Sequence, residues 1–186
     1  MPTRRQFLTA AAAGTTAGLA GCGDTAPPGD AFRLTTPAFD DGAPIPARYT
    51  CRGANVSPRL RIESPPAPTE AFALSLSSPD SPGSETTYWL LWNVPGDERD
   101  LPAALPRDPV IDALGGARQG ANDAGQVGYY GPCPPPATDA TYWFVLSALD
   151  APVDLEPGAD RDAYDDALET HRLADVILKG TFSRSG

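Results

Sequence analysis

"GYYGPCPPPATDATYWF" occupies residues 128–144. Its first half stacks glycines, prolines and one cysteine, and its second half runs straight into aromatic and β-branched residues. Proline fixes φ and removes a backbone donor, so residues 131–136 form neither helix nor central strand. The composition predicts a rigid, shaped loop pinned to the head of a strand. A second such join lies upstream, where Ser78, Pro79, Asp80, Ser81 and Pro82 precede the run TYWLLWNV at residues 87–94.

Around these two joins the strand signals are short and numerous. Residues 59–63 and 72–77 alternate polar and apolar side chains, the period of a half-buried strand. Residues 87–94 and 141–149 are apolar on both faces of the pleat, as in a central strand. Residues 32–36 and 175–182 read as the first and last strands. Turn clusters separate them: SSPDSPG, NVPGDE and LPRDP. This is the rhythm of an antiparallel β-sandwich or barrel. One helix is expected. Asp160 suits its N-cap, Asp162 and Asp165 suit its positive end, and Tyr164, Leu168 and His171 share a face. Residues 96–127 show little periodicity and read as a long loop with one short helical turn.

The N-terminus reads differently. Arg4 and Arg5 precede a weakly apolar, uncharged run over residues 7–21, and Leu19-Ala20-Gly21 leads into Cys22. The run is too short to span a membrane and reads as a twin-arginine leader over residues 1–21. Small residues before a cysteine suggest a lipobox. Cys22 would then carry the lipid that anchors the chain to the outer side of the membrane. The plainer alternative is a secretory leader in which Cys22 is incidental. Residues 22–31 form a Pro/Gly tether, and residues 32–186 form one domain, long enough for a real core.

The chain holds 14 Lys+Arg and 24 Asp+Glu. Arg4 and Arg5 fall in the leader, which holds no acid, so the remainder carries a formal charge of −12. Lys179 is the sole lysine. Such a surface excludes nucleic acid as a partner, because phosphate binding needs clustered cations. It suits a protein of a salt-loving organism, where carboxylate repulsion is screened, or an ordinary acidic secreted protein. With Cys22 lipidated, Cys51 and Cys133 remain as a disulfide candidate outside the membrane. Their spacing does not prove the pairing.

Few residues offer catalysis. His171 is the only histidine, and on an apolar helix face it reads as a core residue. The count excludes a blue-copper site, which needs two histidines, and argues against zinc. No G-x-S-x-G elbow and no P-loop occur. A hydrolase built on Cys133 and His171 would need a thiolate, which a cysteine among prolines has little to lower its pKa. The residues point to binding without a cofactor. Two stiff loops at one end of a sandwich would make a mouth walled by Tyr88, Trp89, Tyr129, Tyr130 and Tyr142. For Trp89, Trp92, Trp143 and Phe144 the core is the better reading.

Four segments then agree in order and spacing: YTCRGANVSPRL (residues 49–60), SSPDSP followed by YWLLWNVP, GARQGANDAGQVGYYGPCPPP, and THRLADVILKGTFSR (residues 170–184). Together they resemble the phosphatidylethanolamine-binding protein family, in its prokaryotic Raf-kinase-inhibitor-like branch, over residues 32–184. The resemblance implies an all-β, Greek-key antiparallel sandwich with one or two peripheral helices. It also implies a pocket at one end for phosphate, acetate-like ions or a phospholipid head group. In the family that pocket uses an Asp-Pro-Asp-x-Pro loop, a His-Trp pair, and a Gly-x-Pro-Pro loop followed by His-x-Tyr. Asp80 and Pro82 match the first loop, but Ser78 replaces its first Asp. Trp89 matches, but Tyr88 stands in place of His. Gly131, Pro132, Pro134 and Tyr142 match, but Ala140 stands in place of the second His. Cysteines at the positions of Cys51 and Cys133 are typical of the branch, which implies that their loops meet near the mouth. The resemblance implies a non-enzymatic protein that binds a small anionic or polar ligand. An alternative is an inhibitor or scaffold of another extracytoplasmic protein, such as a protease, with a decayed ligand pocket.

Overall fold

The structure, a computed structural model, describes residues 31–81 and 84–184, without the side chains at positions 80, 81 and 84. The leader, Cys22, most of the tether, Pro82 and the side chain of Asp80 lie outside the described residues. Nine strands and one α-helix follow in order: β1 (Arg33–Thr35), β2 (Leu60–Glu63), β3 (Ala71–Ser81), β4 (Ser84–Pro95), β5 (Asp100–Leu101), β6 (Val110–Ile111), β7 (Ala117–Gln119), β8 (Thr138–Leu149), α1 (Arg161–Leu168) and β9 (Arg172–Arg184). All named strand pairs are antiparallel. A small sheet runs β1-β2-β5 and a large one runs β6-β7-β4-β3-β8-β9. β8 returns after β7 to lie beside β3, so β8-β3-β4-β7 have the spatial order of a Greek key.

The doubly apolar pattern of β4 has its reason in this layout. Trp89, Leu91 and Val94 face the small sheet and join the main core with Leu60, Phe72 and Phe144. Leu90 and Trp92 face the other way and pack with Tyr164 and Leu168 of α1. Burying one such side chain contributes roughly 1.5–3 kcal/mol. The two indole N–H groups are satisfied: Trp89 donates to Gln119 Oε1 at 2.7 Å and Trp92 to the Leu155 carbonyl at 3.4 Å. Gln119 in turn donates to the carbonyls of Pro106 and Asp108, both at 2.8 Å, which ties an irregular segment to β7.

Asp160 caps α1 as expected, accepting from Ala163 N at 3.0 Å. Three expectations need correction. First, Ser78, Pro79 and Asp80 belong to strand β3 and not to a free loop. β3 pairs with β8 only as far as Ser77, and beyond it keeps one partner, β4, with a register shift after Pro79. A proline is tolerated there because one side of the strand has no ladder to break. Second, His171 does not share the apolar face of α1. The helix ends at Leu168, its last turn tightened by Glu169 N–H donating to the Asp166 carbonyl. His171 sits half-exposed before β9, its Nδ1 2.9 Å from Asp150 Oδ1. Third, residues 96–127 hold β5, β6, β7 and a 3-10 turn at Asp112–Leu114. Strands of two or three residues carry too little alternation to stand out in sequence.

Candidate functional site

Residues 128–133 are each tied to another part of the chain. Tyr129 hydroxyl donates to the Tyr49 carbonyl at 2.6 Å, and burial pushes its pKa far up, so it stays a donor. Gly131 N donates to Asn55 Oδ1 at 2.7 Å, and Cys51 N donates to the Pro132 carbonyl at 3.1 Å. A side chain at position 131 would put Cβ 2.0 Å from the Tyr49 carbonyl oxygen, so only glycine permits this approach. Arg107 donates to the carbonyls of Tyr129 (2.8 Å) and Asn55 (2.6 Å) and lies 4.0 Å over the Tyr130 ring. Cys51 and Cys133 are joined by a disulfide with Cα atoms 5.4 Å apart. The loop is held against residues 49–55.

Tyr88 faces this clamp through a β-bulge. Trp89 lies opposite Leu76 and Thr87 opposite Ser77, which leaves Tyr88 as the extra residue on β4. Such a bulge re-aims a side chain. Here the Tyr88 ring meets that of Tyr142 edge-on, with centroids 5.3 Å apart at 72°. Two clefts open on either side of Tyr88. One, of about 420 Å³, is lined by Tyr88, Tyr130, Gly131, Asn122, Asp123 and the disulfide. Asn122 Oδ1 accepts from Ala124 N and Gln126 N, and Asp123 Oδ2 accepts from Thr87 N. Among the described residues no basic side chain lines this cleft.

The second cleft, of about 820 Å³, is lined by Ser78, Tyr88, Ala140, Trp143 and Lys179, with Asp139 also on its wall. Ser78 hydroxyl donates to the Thr141 carbonyl at 2.9 Å. Lys179 Nζ lies 5.6 Å from the centre of the Trp143 ring. The three positions at which this sequence departs from the pattern it resembles, Ser78, Tyr88 and Ala140, therefore share one wall.

The expected mouth is thus divided. Tyr88 and Gly131 line a cleft, but Trp89, Pro132 and Tyr142 are buried and line neither. Tyr129 is buried against Tyr49 and Trp89, while Trp143, read as core, is only half-buried and lines the larger cleft. Sequence reasoning missed Asn122, Asp123, Trp143 and Lys179 as lining residues. Lys179 carried a signal, as the only lysine of the chain. Asn122 and Asp123 read as turn residues, and nothing in a single sequence places that turn beside Tyr88.

Residues 35–183 match the phosphatidylethanolamine-binding protein family. A UPF0098 protein of Methanothermobacter thermautotrophicus is 40% identical over 153 residues, 82% of this chain and 99% of its own length. A UPF0098 protein of Pyrococcus abyssi is 34% identical over 157 residues, covering 84% of this chain and 88% of that protein. Among solved structures, a putative phosphatidylethanolamine-binding protein homologue of Chlamydia trachomatis superposes with a TM-score of 0.74 at 32% identity, covering 84% of this chain and 99% of that one. YbcL of Escherichia coli, a member of the mammalian family, superposes with a TM-score of 0.75 at 26% identity, covering 82% and 98%. Sequence and fold agree over nearly the whole described domain, and the chain belongs to the phosphatidylethanolamine-binding protein family.

Proposed function

We propose that this chain is a non-enzymatic binding protein that takes a small anionic or polar ligand, of the phosphate or phospholipid head-group type, in the cleft of Ser78, Tyr88, Ala140 and Lys179. The observation that carries the reading is the placement of Lys179. Two histidines of the family pattern are absent, and the ammonium of the only lysine lies on the same wall as the positions they would occupy. It supplies the positive charge that the imidazoles would have brought. Asp139 offsets part of that charge, so weak binding of a free anion is expected.

Inorganic phosphate titrated into the purified protein tests this, read by tryptophan fluorescence because Trp143 lines the cleft. Lys179→Gln should abolish the response. No histidine lines the cleft, so any change in the response between about pH 5 and 8 should follow the second ionisation of phosphate itself. A phosphate response that survives Lys179→Gln would sink the proposal.

The same reading places the protein outside the membrane, held by lipidated Cys22 after twin-arginine export. The Cys51–Cys133 disulfide fits an oxidising compartment. Cys22→Ser should move the protein from the membrane fraction to the soluble one; retention in the membrane would reject the anchor.

A further inference from the structure

β9 closes the large sheet at one end and pairs with β8 along one side. Part of its other side is covered. Lys179 N–H donates to Asp41 Oδ1 (2.8 Å), and its carbonyl accepts from Gly42 N (2.9 Å). Thr181 N–H donates to the Ala43 carbonyl (3.0 Å), and its own carbonyl accepts from Ile45 N (2.8 Å). Outward-facing groups recur every second residue on a strand. Ile177 and Asp175 therefore present the next two outward N–H and C=O pairs, and no described backbone or side-chain group bonds to them. Leu173 lies beyond, at a register shift between β8 and β9.

The uncovered stretch is also apolar. Ile177 is 46% exposed and Leu173 41%, two of the three large apolar side chains exposed among the described residues. Beside it opens a cleft of about 380 Å³, floored by Phe32, Leu34, Phe39, Val176 and Leu178. β1, whose residues also line this cleft, is itself the edge of the small sheet. An edge with open hydrogen bonds and apolar side chains is what proteins ordinarily cover or charge.

The charge around the opening is unbalanced. Arg33 is engaged by Glu63 at 2.7 Å, and Arg172 by Asp175 at 3.4 Å. Asp40 and Asp41 line the cleft, and among the described residues no arginine or lysine is bridged to them. An apolar floor, an acidic rim and an unsatisfied strand edge together define a partner.

We propose that an extended peptide segment, apolar at alternate positions and carrying a basic residue, docks here by adding a strand to β9 at Asp175–Ile177. Its backbone takes the free groups of Asp175 and Ile177. Its inward side chains enter the cleft floored by Phe39 and Leu178. Its basic residue faces Asp40 and Asp41. This edge shares no lining residue with the cleft around Lys179.

A fluorescein-labelled Lys-Val-Lys-Val-Lys-Val peptide is the probe, followed by anisotropy with the purified chain. Saturable binding is expected. Ile177→Ser, a change at an exposed site that leaves the charge untouched, should weaken it about tenfold or more without lowering Tm. The same peptide N-methylated on alternate residues keeps its charge but loses the donors, and should not bind. Equal binding of the N-methylated peptide, or an unchanged affinity in Ile177→Ser, would reduce the effect to charge attraction and overturn the proposal. So would sedimentation showing a dimer that Ile177→Ser dissociates, because a second copy would then be the occupant.

Discussion

β4 and β9 have nearly the same length, 12 and 13 residues, and opposite surroundings. β4 has a strand on each side, the main core on one face and α1 on the other. Its two tryptophans are fully buried with their N–H groups satisfied. β9 has one strand partner, one core-facing side and a bare stretch of edge. Stability and recognition are thereby separated. Where every group already has a partner, a change costs packing energy. Where groups are left over, a change costs little stability and alters what can dock.

The largest effect should come at the centre. Trp89→Ala is expected to cost about 3–5 kcal/mol, because it opens a cavity and strands the Gln119 amide oxygen. Urea unfolding reads this directly, and a loss below about 1 kcal/mol would mean that β4 is not the stable centre. Next comes the clamp beside the Tyr88 bulge. Replacing Cys51 and Cys133 together by alanine opens a loop spanning 82 residues. Chain-entropy arguments put the loss at 2–5 kcal/mol, on the order of 4. Thermal unfolding with and without reductant should show the same drop in the wild-type protein and none in the double variant.

Asp160→Ala removes the cap of the helix that covers the outer face of β4. A loss of about 1 kcal/mol is expected, seen as a small shift of the urea midpoint with an unchanged slope. Ile177→Ala on β9 should stay within about 0.5 kcal/mol. A larger loss there would break the contrast between the two strands. The smallest effect concerns the exposed rim of the small sheet. Hydrogen bonds from Arg33 and Thr35 hold the Glu63 carboxyl below its usual range, and one from Arg59 does the same for Asp100. Carboxylates with depressed folded pKa values stabilise above the unfolded value, near pH 4, and lose that contribution as pH falls through the folded one. Both sites are solvent-screened, so the acid limb should be shallow. Arg59→Gln should flatten it further, and a steeper acid limb in that variant would contradict the assignment.

Several parts of this fold were legible because they depend on neighbours in the chain. The double-sided apolarity of residues 87–94 marked a strand with cover on both faces, and β4 has it. The prolines around Cys133 marked a loop, because a missing donor and a fixed φ act wherever the chain is placed. Asp160 marked a cap for the same local reason. The order and spacing of four segments were enough to point to the family, and with it to the Greek-key order of the strands.

What contacts alone settled was the meaning of those same residue types elsewhere. Pro79 resembles Pro132 in sequence, yet it lies in a strand, because β3 and β8 part beyond the Ser77–Trp143 pair and leave that side of β3 without a ladder. Tyr88 and Tyr142 both looked like walls of one mouth. A single extra residue on β4 instead turns Tyr88 edge-on to a buried Tyr142 and splits the mouth into two clefts. Lys179 gained its place by standing on a strand beside β8, 43 residues after Pro136 and 97 after Pro82, the ends of the two proline-rich stretches that suggested a site. Propensity, periodicity and capping act within a few residues and can be read along the chain. Register shifts, edge exposure and cleft walls arise between segments far apart in sequence, where the balance of backbone pairing and side-chain packing exists only after the sheets have met.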